Sequence, residues 1–75
     1  MSRIVPLQLL NSGECGAVLE VSGDMHLVRR LDEMGLRTGC QVLMVQAGSP
    51  CIVALDQQRL SFRGVDLASV LVEVA

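Results

Sequence analysis

The run Leu31-Asp32-Glu33-Met34-Gly35-Leu36-Arg37-Thr38-Gly39 constrains this chain more than any other stretch. Leu27, Leu31 and Met34 recur at i, i+4 and i+7, with Val28 widening the stripe, which predicts an amphipathic helix from about Met25 to Met34. Asp24 suits its N-cap, just after the Ser22-Gly23 break. Gly35 stands where a left-handed residue stops a helix, since glycine has no Cβ penalty there. Leu36 then follows as the residue that meets Leu31, the apolar pairing of a Schellman stop. Gly39 ends the next turn, and Cys40 to Gln46, rich in Val, Leu and Met, reads as a strand. Nothing in the run is catalytic. A helix that hands over so abruptly to a strand predicts a small β-rich module that holds a surface for a partner.

The rest of the chain supplies further strands. Residues 1–13 read as a lead-in with one helical turn, where Leu7 and Leu10 share a face and plug an end of the core. Glu14 to Val21 is a strand with Ala17, Leu19 and Val21 on its more apolar face, and Gly16 marks a bulge or a close backbone approach. Cys51 to Leu55 is a short apolar strand. Asp56-Gln57-Gln58 has no glycine, which predicts a loop longer than a two-residue turn. Arg59-Leu60-Ser61-Phe62-Arg63 alternates, with Leu60 and Phe62 inward. A helical turn over 64–69 precedes a last strand, Val70 to Val74. The sum is mainly β: five short strands, one α-helix between the first and second, and a helical turn before the last. Short strands on short connections predict a small closed barrel, and closure removes exposed strand edges.

Composition narrows the function classes. At 75 residues the chain is read as one domain over 1–75. A fold of this size buries only about 60% of the surface of its unfolded chain, yet 51% of the residues are apolar. An exposed apolar surface follows, and such surfaces mark interfaces. Phe62 is the one aromatic residue, too few for base stacking or a proline-peptide groove. The net charge of −2 argues against nucleic-acid binding. No apolar run approaches the roughly 18 residues of a membrane span, so no membrane insertion is expected. Three cysteines without paired spacing, and a start that lacks the pattern of a signal peptide, point to a reducing cytoplasm.

Several of these segments together resemble the FeoA family (ferrous iron transport protein A). They are Leu7-x-x-Leu10 with Gly13-Glu14-x-Gly16, Arg30-Leu31-x-x-Met34-Gly35-Leu36-Arg37-x-Gly39, Gly48-Ser49-Pro50, Arg59-Leu60-Ser61-Phe62-Arg63 and Leu71-Val72-Glu73-Val74. The resemblance implies an SH3-like barrel and a non-enzymatic accessory protein. It implies a partner, the FeoB-type membrane ferrous iron transporter with its cytoplasmic GTPase domain, which would recruit the chain to the inner face of the membrane. A related domain ends some metal-dependent transcriptional repressors, which keeps open an accessory role in metal-dependent regulation.

The residues themselves offer few chemical sites. Cys15, Cys40 and Cys51 with His26 would make a three-cysteine, one-histidine metal site, but zinc sites close with paired spacing such as C-x-x-C, and here the gaps are long. His26 with Asp24 is the alternative surface ligand set. A weak Fe2+ or Zn2+ site, and with it a metal sensor or carrier, is therefore a second reading. No nucleophile–base pair and no Walker A pattern occurs, so any GTP chemistry belongs to a partner. Asp32 and Glu33 are expected to offset Arg29 and Arg30. The candidate docking surface is the helix-to-strand corner: Leu27, Arg30, Met34, Leu36 and Arg37. Weak self-association through exposed apolar surface is a further expectation.

Overall fold

Each apolar strand segment forms one rung of a single antiparallel sheet. The computed structural model describes residues 2–74, so the two ends of the 1–75 reading lie outside the described residues. The strands are β1 (Arg3–Pro6), β2 (Cys15–Val21), β3 (Gln41–Gln46), β4 (Cys51–Leu55), β5 (Gln58–Phe62) and β6 (Val70–Val74). Helix α1 (Met25–Glu33) joins β2 to β3, and 3-10 turns at Leu7–Leu9 and Gly64–Leu67 precede β2 and β6. The order across the sheet is β1-β6-β2-β3-β4-β5.

Six strands replace the expected five, because Arg3–Pro6, read as lead-in, pairs with β6 from Arg3–Val74 to Pro6–Leu71. A four-residue strand ending in proline has too little periodicity to stand out in the sequence. The sheet also differs from a closed barrel in one respect: among the described residues its ladder does not close, and β1 and β5 are free edges. It curls around its core all the same. The inward residues of every strand meet in one cluster with Leu7, Leu10, Leu31, Leu36 and Leu67, within extents of 32 × 23 × 23 Å. Burying one such leucine contributes roughly 2 kcal/mol, and no polar side chain is buried with them among the described residues.

The pattern of β2 reverses the expectation at Ala17 and Leu19 and keeps it at Val21, which packs against the core beyond the register shift. Val18 is buried at 1% exposure, whereas Leu19 is 40% exposed and Ala17 only half-buried. β2 is apolar on both faces, so period-two reasoning could not choose between them, and a register shift between Val18 and Glu20 re-aims the strand. Gly16 marks a close approach rather than the bulge, since a Cβ there would lie 2.8 Å from the Glu73 carbonyl oxygen. Leu7 and Leu10 do plug the core, at 0% and 2% exposure.

The hairpin between β4 and β5 corrects another expectation. Asp56 and Gln57 alone form the turn, and Gln58 is already the first residue of β5, opposite Leu55. Asp56 takes the left-handed conformation with φ of 48°. Aspartate tolerates that region better than most residues, which is how the turn dispenses with glycine.

Candidate functional site

Helix α1 forms as its spacing predicts, and its two ends decide which side chains face outward. At the N-terminus, Asp24 Oδ1 accepts a hydrogen bond from the His26 N–H at 2.7 Å. At the C-terminus Met34 is the cap and Gly35 has φ of 97°. The Leu36 N–H donates to the Leu31 carbonyl at 2.9 Å, and the Gly35 N–H donates to Asp32 at 3.0 Å. Those two bonds define a Schellman stop. The chain then runs through a turn in which Cys40 N–H donates to the Arg37 carbonyl. That turn docks on β2, with Gly39 N–H to the Val18 carbonyl at 2.8 Å and Val18 N–H to the Cys40 carbonyl at 2.9 Å.

This geometry divides the expected docking residues. Leu36 is fully buried, in contact with the core and not with solvent. It cannot serve as a surface anchor, because the Schellman turn directs its side chain back under the helix. Leu27 and Met34 are half-buried and pack against the core with one side. Arg30 is exposed and, like Arg29 and Arg59, forms no ion pair among the described residues. Arg37 is exposed but tied to Asp32, with Nε 3.4 Å from the carboxylate and Nη2 donating to the Asp32 carbonyl at 3.0 Å. Asp32 therefore offsets Arg37 rather than Arg29 or Arg30.

Sequence reasoning missed the outward apolar face of α1. Met25, Val28, Arg29 and Asp32 line a shallow open groove there, and Met25 is 75% exposed. Their spacing of i, i+3, i+4 and i+7 is itself a helical stripe. It was legible on a helical wheel but overshadowed by the stronger Leu27–Leu31–Met34 stripe. The other exposed apolar residues, Ile4, Leu9, Leu19, Leu43 and Val65, are distributed over the sheet and the two 3-10 turns. On the outer sheet face Cys15, Leu43, Ala54 and Arg59 lie side by side across four strands.

The metal candidates do not converge. Cys15 is exposed on the outer face of β2, Cys40 is half-buried in the turn, and Cys51 is buried on β4. Asp24 is engaged as the helix cap, and His26 is exposed beside it. Among the described residues no three His, Cys, Asp or Glu side chains are grouped to hold an ion. Burial pushes the Cys51 thiol above its ordinary pKa, partly countered by backbone hydrogen bonds from Cys51 and Phe62. A neutral buried thiol is a small hydrophobe, not a ligand.

A curled, six-stranded antiparallel sheet with one helix after its second strand is an SH3-like module. The chain belongs to the FeoA family, whose domain model matches residues 5–74. Solved structures agree. A crystal structure of an iron uptake regulatory protein, FeoA, is 24% identical, covers 93% of this chain and 96% of its own, and has a TM-score of 0.88. The zinc complex of FeoA from Stenotrophomonas maltophilia, described as a prokaryotic SH3 domain protein, is 27% identical over 91% of this chain and 88% of its own, with a TM-score of 0.77. A manganese-dependent transcriptional repressor shares the fold at 15% identity and a TM-score of 0.89, but this chain, covered in full, spans only 44% of that one. A search of curated proteins gives no match. The FeoA family is associated with ferrous iron transport and is a non-enzymatic accessory domain. No helix among the described residues is long and apolar enough to cross a membrane.

Proposed function

We propose that this chain is a cytoplasmic docking subunit of ferrous iron uptake, which binds the FeoB-type membrane transporter and modulates its transport or its GTPase. The observation that carries the reading is the exposed face of α1 within a FeoA fold. Among the described residues Arg29 and Arg30 form no ion pair; Arg29 lines the groove with Met25 and Val28, and Arg30 is exposed on the same helix, whose Leu27 and Met34 are half-buried. Arginine next to apolar surface is the chemistry of a docking site for an acidic partner. Arg37 borders this face. Leu36 acts from beneath it by holding the helix in place.

The test is co-purification of the tagged chain with the transporter from gently solubilised membranes. Recovery is expected with the native chain and is lost with Arg30→Glu, while the melting temperature of the variant is unchanged. Full recovery by the folded variant removes α1 as the surface. No recovery in any condition, with or without nucleotide and Fe2+, removes the transporter as the partner. The competing metal-carrier reading requires a stoichiometric Fe2+ or Zn2+ site in solution, and the scattered cysteines do not favour it.

A further inference from the structure

The hydrogen-bonded ladder stops at β5, which meets β4 on one side and no strand on the other among the described residues. Among the described residues, none of the backbone bonds made by turns, loops and caps involves residues 58–62. Which groups face the open side follows from the hairpin. A two-residue turn is closed by a hydrogen bond between its flanking residues, here Leu55 and Gln58. Opposed residues of an antiparallel pair then alternate between bonded and non-bonded. Leu55–Gln58, Val53–Leu60 and Cys51–Phe62 are the bonded pairs, so the N–H and C=O groups of Arg59 and Ser61 point away from β4.

The two edges of the sheet are not equivalent. β1 has four residues, ends in Pro6 with no N–H to offer, and has Arg3 held by Glu14 at 3.2 Å. β5 has five residues, no proline or lysine, and a continuous register with β4. The β2–β6 and β3–β4 ladders each shift register. Prolines, bulges and charged side chains are means by which sheets protect an edge; β5 has neither proline nor bulge, and its one charged residue is Arg59. Leu60, on the inward side of β5, is only half-buried. Arg59 and Arg63 lie on the opposite side. Arg59 makes no ion pair among the described residues, and Arg63 stays 75% exposed beside Asp66 at 3.6 Å.

We infer that the β5 edge accepts an extended acidic segment of a protein partner as a seventh strand, with carboxylates beside Arg59 and Arg63 and an apolar side chain over Leu60. The main-chain groups of Arg59 and Ser61 supply the affinity of strand addition, and the alternating side chains supply its selectivity. The inference rests on the docking reading above but uses a different surface from α1, so the two fail separately.

The probe is an end-blocked octapeptide alternating glutamate and valine, titrated into the nitrogen-15-labelled chain. The Arg59 and Ser61 amide resonances are expected to shift and their solvent exchange to slow. A lysine–valine peptide should leave them unmoved. Arg59→Glu is expected to weaken binding about fivefold, the most an exposed ion pair supplies. Ser61→Pro removes an outward N–H without touching the ladder and should abolish the response. If that variant melts early, Arg59→Glu decides alone. Protected Arg59 and Ser61 amides in the free chain, an equal response to the lysine peptide, or no shift with millimolar glutamate peptide would each overturn the inference. Shifts confined to Met25–Arg30 would overturn the edge site and leave the helix surface standing.

Discussion

The end of α1 and the β4–β5 hairpin solve the same problem in different ways, and they touch. Each needs one left-handed residue to reverse the chain. The helix uses Gly35 at φ of 97°, and the hairpin uses Asp56 at φ of 48°. The Gln58 side chain joins them, donating from Nε2 to the Met34 carbonyl at 3.1 Å. The glycine solution is visible in a sequence, because glycine there has a single mechanical meaning. The aspartate solution is not, because aspartate fits many kinds of loop. The difference shows where local sequence chemistry is specific and where it is permissive.

The largest effect that could break this comparison lies beneath the helix stop. Leu36→Ala is expected to destabilise the fold by about 3 kcal/mol, as for other buried leucines. Thermal melting should fall by more than about 10 °C for a domain of this size. A change near zero would return Leu36 to the surface and undo the Schellman geometry. Gly35→Val comes next, at about 2 kcal/mol by urea unfolding, from backbone strain at positive φ. A Cβ there also meets Gln58 Nε2 at 3.4 Å, so the two regions would feel it together.

The hairpin should respond less. Asp56→Val is expected to cost about 1 kcal/mol, because a β-branched residue resists the left-handed region, while Asp56→Gly stays within about 0.5 kcal/mol. Equal stability of all three would mean that the turn does not depend on its first residue. Gln58→Ala removes one exposed hydrogen bond to a helix end and should cost about 0.5 kcal/mol. Combined with Gly35→Ala, a non-additive melting shift would demonstrate that the helix stop and the hairpin are coupled.

The smallest effect is confined to alkaline pH. Cys51 begins the β4–β5 hairpin, and burial raises its folded-state pKa. A raised pKa favours the protonated fold, so this contribution is complete below the ordinary thiol value of about 8.5 and is lost as pH rises through the folded value. Iodoacetamide at neutral pH should label the exposed Cys15 and spare Cys51 until the chain unfolds.

Legibility in the sequence follows the range of the interactions. The α1 stripe, its Asp24 cap, the Gly35 stop and the strands after it could all be read, because each depends on neighbours a few residues away. The face of β2 could not: Val18 and its neighbours Ala17 and Leu19 are all apolar, and the choice rests on partners in β3 and β6. The docking candidates divide the same way. Helical period puts Arg30 outside and the Schellman pattern turns Leu36 toward Leu31, whereas the complete burial that removes Leu36 from the docking surface depends on the sheet beneath the helix. The Met25–Val28 face has the same period but a weaker apolar signal than the core stripe.

By itself the amino-acid sequence determined that this is a small β-rich chain with one stopped helix and the motif pattern of the FeoA family. Those properties rest on local backbone chemistry and on residue types, which need no fold to be counted. Only the tertiary structure decided that six strands assemble in the order β1-β6-β2-β3-β4-β5, that Leu36 goes under the helix, and that the cysteines are kept apart. It also left β5 as an open edge. Strand pairing joins residues as distant as Arg3 and Val74, and which edge remains unpaired is a property of the whole sheet.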